Sequence, residues 1–135
     1  PEGGRMKIAV AGGRETADYL TGLLRAAGHK VAVIQEDRAF CEHLSAKYDM
    51  SVTCGDPCRE DVLADAGIRG CGLFLARRPE DADNLEVCQM AKRLFEAKKT
   101  ACLVRNPANV GIFESLGVDH AVSPAGLLAA YAGEG

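Results

Sequence analysis

The sequence predicts an α/β fold, a doubly wound parallel sheet of six strands with helices on both faces. Short apolar segments recur about every 20 residues, and segments with helical spacing lie between them. Some apolar segments, such as Gly72–Ala76, are nearly continuous in apolar residues, which is typical of strands covered on both faces. Parallel strands with right-handed crossovers follow from this alternation, and the expected strand order is 3-2-1-4-5-6.

The individual elements follow from local pattern. The expected strands are Met6–Ala11, Lys30–Ile34, Ser51–Cys54, Cys71–Ala76, Thr100–Val104 and Asp119–Val122. Apolar residues at helical spacing predict helices over Ala17–Ala27, Phe40–Tyr48, Val62–Ala66, Leu85–Phe95 and Val110–Leu116. Gly28, Gly67 and Gly117 end three of these helices, and Asn106-Pro107 supplies a cap and a first helical residue for the fifth.

Composition limits the class of protein. The 135 residues suit one domain, and 47% hydrophobic residues suffice for a packed core. A net charge of −3 makes nucleic acid an unexpected partner. The apolar runs are too short to cross a bilayer and no signal peptide opens the chain, so we expect a cytoplasmic protein without direct membrane insertion.

Three segments are expected along the chain. Residues 1–5 form a flexible N-terminal tail, residues 6–124 form the domain, and residues 125–135 begin a helix and end in a tail. The apolar stretch Ala125–Tyr131 would be exposed unless another segment or chain covers it. Whether the chain is a fragment of a longer protein stays open.

The six cysteines do not predict a metal site. Cys41, Cys54, Cys58, Cys71, Cys88 and Cys102 form no CxxC pair and no cluster with histidine. Most fall inside apolar patterns, where a reduced thiol acts as a small hydrophobe. Cys58 differs because it lies near a helix start, where the helix dipole can lower a thiol pKa.

A glycine-rich turn between the first strand and helix predicts a Rossmann-type phosphate site. Gly12, Arg14 and Ala17 align with the three key positions of G-x-G-x-x-G/A. Gly12 permits the tight turn and Ala17 permits close helix packing. Arg14 replaces the glycine that lets a pyrophosphate approach the backbone; in a frame shifted by one residue, Gly13 takes that place.

Further candidates follow the carboxyl ends of other strands, which form the ligand crevice of an open α/β sheet. Gln35 lies at the position where an acidic residue usually hydrogen-bonds the ribose of the nucleotide. Its amide can still bond a ribose hydroxyl. Because no carboxylate is present at this position, a ligand with a 2′-phosphate is also compatible. Gly55-Asp56-Pro57, Arg77-Arg78 and Arg105-Asn106 follow the third, fourth and fifth strands. Arginines gathered without matching acids favour a polyphosphate ligand.

From Met6 to about Pro124, the chain resembles the TrkA-N (RCK N-terminal) domains of potassium uptake regulators and potassium channels. The segments that carry the resemblance are Met6–Arg14, Ala27–Ile34 with Asp37, Gly55–Pro57 leading to Val62–Ile68, Asn84, Arg105–Pro107 leading to Phe113–Asp119, and Val122–Pro124.

The resemblance implies a regulatory domain that binds ATP, ADP or NAD(H), assembles as dimers or rings, and acts on a potassium transporter or channel subunit at the inner face of the membrane. It implies no catalysis. By position, the ligand loop would be Gly12, Gly13, Arg14, Glu15 and Thr16, the ribose position Gln35, the adenine side Asp37, Gly55 and Asp56, and the phosphate side Arg77 and Arg105. The resemblance also leads us to expect that residues 1–135 do not include the family's usual second, C-terminal ligand domain.

Two other functions remain open. An NAD(P)-dependent oxidoreductase fragment shares the fold, but no tyrosine is followed by a lysine four residues later, and no serine or cysteine nucleophile signature lies near the three histidines. No catalytic residue is therefore assigned. The changes at Arg14 and Gln35 leave open a ligand-free interaction module. Nucleotide titration separates these alternatives.

Overall fold

The computed structural model describes residues 4–134, so residues 1–3 of the expected N-terminal tail and residue 135 lie outside the described residues. The strands are β1 (Lys7–Ala11), β2 (Lys30–Gln35), β3 (Val52–Cys54), β4 (Leu73–Ala76), β5 (Thr100–Leu103) and β6 (His120–Val122). The helices are α1 (Arg14–Ala26), α2 (Arg38–Tyr48), α3 (Glu60–Ala66), α4 (Asp81–Phe95), α5 (Asn109–Ser115) and α6 (Pro124–Glu134).

The strands form one parallel sheet in the order β3-β2-β1-β4-β5-β6, which confirms the expected topology. Successive strands are added toward one edge of the sheet from β1 to β3, and toward the other edge from β4 to β6. Because right-handed crossovers in opposite directions lie on opposite faces, α1 and α2 pack together on one face, and α3 and α4 pack together on the other. The reversal opens a crevice at the carboxyl ends of β1 and β4.

The core fills both faces of the sheet because side chains alternate along each strand. On one face, Ala9 and Ala11 of β1 belong to a hydrophobic cluster that includes Leu63 of α3 and Val87 of α4, and all four residues are fully buried. Val10 points to the opposite face, which α1 and α2 cover. The expected burial on both faces is confirmed for β1, where Ile8–Ala11 are all buried, whereas β4 alternates between buried residues (Phe74 and Ala76) and partly buried ones (Leu73 and Leu75).

The predicted strand ends hold to within two residues. The largest difference is at Cys71 and Gly72, where Cys71 N–H donates to the carbonyl of Ile68 in a turn before β4 begins. The expectation for Asn106-Pro107 is wrong: α5 begins at Asn109, and the Asn106 side chain accepts from Ala108 N–H at 3.0 Å within the turn before the helix. A short polar side chain can close such a turn as readily as cap a helix.

The C-terminal segment is helical further than expected. Residues 132–134, expected to be a loose tail, continue α6. The expected exposure of its apolar residues is confirmed, since Leu127, Leu128 and Tyr131 are 63%, 71% and 82% exposed. Within residues 4–134, no helix combines the length and apolar character needed to cross a membrane.

Candidate functional site

The turn between β1 and α1 adopts the backbone that its glycines predict. Gly12 and Gly13 have φ angles of +82° and +80°, a region that side chains with a Cβ rarely adopt. A Cβ on Gly12 would also lie 2.7 Å from the carbonyl oxygen of Arg77. Packing against Arg77, the residue that follows β4, therefore explains Gly12 without any ligand. Ala17 is fully buried, as the close approach of α1 to the sheet requires.

This turn forms one wall of a cleft of about 310 Å³ at the carboxyl edge of the sheet. The lining residues are Gly12, Gly13, Arg14, Glu15, Thr16, Gln35, Glu36, Asp37, Pro57, Arg77, Arg78 and Pro79. Eight of the eleven residues proposed from sequence are among them; Gly55, Asp56 and Arg105 are not. A larger hollow of about 750 Å³ lies at the opposite edge, beside Lys7 and Lys30, but open α/β sheets bind ligands at the carboxyl edge.

Arg14 turns away from the glycine loop toward the second strand. Its Nη1 donates to the Asp37 carboxylate at 2.7 Å, and its guanidinium lies 5.5 Å from the centre of the Phe40 ring. Asp37 also caps α2 by accepting from Phe40 N–H at 3.1 Å. The Arg14 side chain thus spans the mouth of the cleft between α1 and α2, and an acid partner holds it there.

Gln35 ends β2 inside the cleft and is 4% exposed. Its Nε2 is buried and has no hydrogen-bond partner within the described part of the chain. Its backbone carbonyl is well satisfied, accepting from Gly55 N–H at 2.9 Å and from Cys41 Sγ at 3.2 Å. A buried amide without a partner costs free energy. A ligand hydroxyl or carbonyl at this wall would satisfy it.

Arg78 is the most buried charged residue of the site, with its side chain 11% exposed. The sequence alone did not distinguish it from its neighbour Arg77. The Arg78 guanidinium lies 2.7 Å from Asp56, 3.3 Å from Glu36 and 3.9 Å from Asp83. The expectation that the arginines lack matching acids is therefore wrong for Arg78, and it is also wrong for Arg14, which pairs with Asp37. The carboxylates come from three separate segments, and only folding brings them together.

Asp56 supports the cleft from behind. The hydrogen bond from Arg78, followed by the one from Cys58 N–H, lowers the pKa of the Asp56 carboxyl below its ordinary value. Asp56 therefore holds Arg78 in place as a carboxylate. Gly55 lies beside it and packs against Val62, where an added Cβ would meet the Val62 side chain at 2.9 Å.

Arg77 and Arg105 border a second hollow of about 450 Å³ that shares Arg77, Arg78 and Pro79 with the cleft. The Arg105 side chain is 74% exposed and lies 4.0 Å from Glu80. Its backbone N–H donates to Asp81 at 2.7 Å, which fixes the loop after β5. The two hollows together form a path from the glycine turn to Arg105.

Cys58 does not have the reactive environment that its place before α3 suggests. Burial raises the pKa of its thiol to about 11, although the positive charge of Arg78 acts in the opposite direction. Cys58, Asp83 and Glu86 bring possible metal ligands within 4.8 Å of one another. Arg78 lies 3.7 Å from Cys58 Sγ and already supplies the positive charge of this group.

Two charged cleft residues were not assigned to the site from sequence: Glu36, and Arg78, which was named only together with Arg77. Glu36 could have been found because it lies between the candidates Gln35 and Asp37. Arg78 could not be separated from Arg77, since both follow the end of β4 and no strand alternation applies there. Asn84, which contributes to the family resemblance, is 1% exposed and bonds both backbone groups of Arg78, at 2.8 and 3.1 Å.

The sequence profile of the TrkA-N domain matches residues 8–124. A Trk system potassium uptake protein TrkA homolog from Methanothermobacter thermautotrophicus is 29% identical over 126 residues, which cover 93% of this chain and 58% of the relative. Trk system potassium uptake protein TrkA from Vibrio alginolyticus is 26% identical over 132 residues, which cover 93% of this chain and 29% of the relative. The chain thus spans less than two thirds of these relatives.

Solved structures share the fold. The TrkA-N domain of the inner membrane protein ybaL from Escherichia coli has a TM-score of 0.80 and 16% identity, covering 93% of each chain. The GsuK channel bound to NAD has a TM-score of 0.74 and 21% identity, covering 90% of this chain and 22% of the channel. GsuK bound to ADP has a TM-score of 0.73 and 21% identity, with coverages of 91% and 32%. Since the family profile matches most of its length, the chain belongs to the TrkA-N domain family.

Proposed function

We propose that this chain is a nucleotide-sensing regulatory domain that binds ATP, ADP or NAD(H) in the cleft and passes the change to a potassium transporter or channel subunit. Relatives named as potassium uptake proteins support the transport role. The GsuK structures described as bound to NAD and to ADP support the ligand class. Under this proposal the domain works in the cytoplasm, beside the inner face of the membrane that holds its partner.

The observation that carries the proposal is the buried, unpartnered Nε2 of Gln35 at the wall of the cleft. In this fold the end of β2 faces the ribose of a bound nucleotide. A neutral amide there both donates and accepts, so it suits a ribose hydroxyl. The first N–H groups of α1 lack intrahelical acceptors and face the glycine turn, which suits a phosphate.

The shape of the cleft favours a mononucleotide over a dinucleotide. Arg14 occupies the position of the second motif glycine, where a pyrophosphate would need close access to the backbone. The path past Arg77 toward Arg105 can accommodate a phosphate chain between guanidinium groups. In this arrangement the adenine base lies beside Asp37 and the Gly55-Asp56 loop.

The partner proposal includes self-association as a dimer or a ring. Leu127, Leu128 and Tyr131 of α6 are largely exposed, and an apolar helix face of this kind is typical of an interaction surface.

Calorimetric titration of the purified chain with ATP, ADP, AMP, NAD⁺ and NADH tests the ligand proposal. We expect at least one adenine nucleotide to bind, and Gln35→Leu to weaken it about tenfold, the effect of one lost hydrogen bond. Arg77→Met should weaken ADP and ATP more than AMP. Arg25→Met, a change at an exposed arginine in the last turn of α1, is the matched control and should bind as the parent protein does.

Absence of heat and of a thermal shift with all five nucleotides would contradict the sensing role and favour the ligand-free interaction module. Steady oxidation of NADH in the presence of small carbonyl compounds would contradict the regulatory role and favour an oxidoreductase. Equal loss of affinity for AMP and ATP in Arg77→Met would remove Arg77 from the phosphate path.

A further inference from the structure

A shallow groove of about 410 Å³ runs between α2 and the edge strand β3, on the far side of Gln35 from the glycine turn. Val52 and Cys54 face α2 from this edge, and Cys41 faces them from the first turns of the helix. Cys41 is 6% exposed, whereas Cys54 is exposed to solvent. The groove therefore combines one buried thiol with one accessible thiol.

The two thiols are neighbours that interact directly across this groove, and each also bonds to a backbone carbonyl at the end of β2 or just beyond it. Cys41 Sγ donates to the carbonyl of Gln35 at 3.2 Å, and Cys54 Sγ donates to the carbonyl of Glu36 at 3.7 Å. Burial, and then the neighbouring Cys54 sulfur, raise the pKa of the Cys41 thiol to about 12. The accessible Cys54 is thus the sulfur that an oxidant meets first.

We propose that Cys41 and Cys54 are a modification site at which a small-molecule disulfide links the two sulfurs reversibly and thereby weakens ligand binding in the adjoining cleft. The effect on the ligand rests on the proposed nucleotide function, whereas the thiol chemistry stands independently of it.

The chemistry is thiol–disulfide exchange in two steps. The Cys54 thiolate attacks one sulfur of the small disulfide, which gives a mixed disulfide and releases one small thiolate. The Cys41 thiolate then attacks Cys54 Sγ, forms the Cys41–Cys54 bond and releases the second small thiolate. Two protein thiols are oxidised, one small disulfide is reduced to two thiols, and the two protons pass to solvent or the leaving thiolates.

The bond would act directly on cleft residues. Cys54 is the register partner of Gln35, and Cys41 N–H donates to the carbonyl of Asp37 at 2.8 Å. A disulfide requires a sulfur separation of about 2.05 Å, so its formation ends the hydrogen bond from Cys41 Sγ to Gln35 and draws α2 toward β3. Asp37 caps α2, and Gln35 of β2 pairs with Cys54 of β3, so both cleft residues adjoin the segments that move.

A second cysteine pair provides a control within the same chain. Cys88 of α4 and Cys102 of β5 also interact, but they are 1% and 5% exposed. Neither sulfur presents an accessible face to a dissolved oxidant. Without unfolding, this pair should remain reduced while Cys41 and Cys54 react.

The test treats the folded chain with hydroxyethyl disulfide, maps disulfides by peptide mass spectrometry, and titrates ADP and NADH before and after treatment. We expect a Cys41–Cys54 link and about fivefold weaker binding, at the low end of usual coupling between sites, with dithiothreitol restoring the reduced affinity. Cys54→Ser should bind as the reduced parent protein and should be insensitive to the oxidant.

A map without the Cys41–Cys54 link, or with Cys88–Cys102 linked instead, overturns the proposed site. A link that leaves nucleotide affinity unchanged overturns its regulatory effect. If the reduced protein binds neither nucleotide, the proposed nucleotide function fails, and the peptide map alone decides the thiol site.

Discussion

Replacement of Arg78 by methionine should destabilise the fold, while the same change at Arg77 should not. Arg78 is 11% exposed and contacts three carboxylates, those of Asp56, Glu36 and Asp83. Arg77 is the adjacent residue and is exposed. Methionine retains much of the apolar stem of arginine and removes the charge, so the pair of variants isolates the buried guanidinium.

The expected loss of stability lies between the values typical of fully buried ion pairs and of exposed ion pairs. Removing one partner of a fully buried pair costs about 3–5 kcal/mol, whereas exposed pairs contribute about 0–1 kcal/mol. Asp56 and Glu36 are 42% and 55% exposed, so water screens much of the interaction. We therefore expect the free energy of unfolding to fall by about 2 kcal/mol at pH 7, which lowers the Tm by about 8 °C in a domain of this size.

The pH dependence gives a second measurement of the same interaction. The hydrogen bond from Arg78 lowers the pKa of Asp56 in the folded protein, so the stabilisation is fully present above the unfolded pKa of about 3.9 and is lost as the pH falls through the folded pKa. The difference between the parent protein and Arg78→Met should therefore stay constant from pH 7 to about 4 and shrink as the pH falls further.

Urea unfolding followed by circular dichroism at pH 7 and in acid measures both effects. Arg77→Met should stay within about 0.5 kcal/mol of the parent protein. Equal destabilisation by the two variants would refute the assignment of Arg78 as the buried charge. A gap between parent and Arg78→Met that persists unchanged in acid would refute the role of Asp56.

The remaining predictions concern the glycine turn and α6. Gly12→Ala should lower the free energy of unfolding by about 3 kcal/mol, since it combines left-handed backbone strain with a 2.7 Å clash with Arg77. Gly67→Ala is the control, because Gly67 has a φ of +69° but nothing within 4 Å, and it should lower the free energy of unfolding by only about 1 kcal/mol. Equal losses for the two variants in thermal unfolding would argue against the clash. Leu128→Glu on α6 should shift the proposed assembly toward monomer in sedimentation velocity, with exposed Arg25→Met as control; a parent protein that is already monomeric would contradict self-association.

The element order could be predicted because it depends on local pattern. Runs such as Ile8–Ala11 require burial on both sides, and glycines such as Gly67, with φ +69°, mark helix ends by backbone conformation alone. Crossover handedness then leaves few topologies. Boundaries were less certain, as at Asn106, because a short polar side chain forms a turn and a helix cap by the same kind of hydrogen bond.

The candidate site was predicted in its position but not in its internal contacts. The ends of β1, β2 and β4 meet at the reversal of the sheet, so the glycine turn, Gln35 and Arg77 were expected together. The orientation of Arg14 toward Asp37 was not expected. Side chains beyond a strand end follow no periodic rule, and their partners come from other segments.

The sequence by itself determined the sheet, the location of its crevice and the presence of many charges around that crevice. Only the tertiary structure decided that Arg78 is neutralised by three acids, that Gln35 keeps an unpartnered amide, and that Cys41 and Cys54 share a groove. The physical reason is range: backbone preference and hydrophobic periodicity act over a few residues, whereas ion pairs and thiol contacts depend on distances between segments that are remote in the chain.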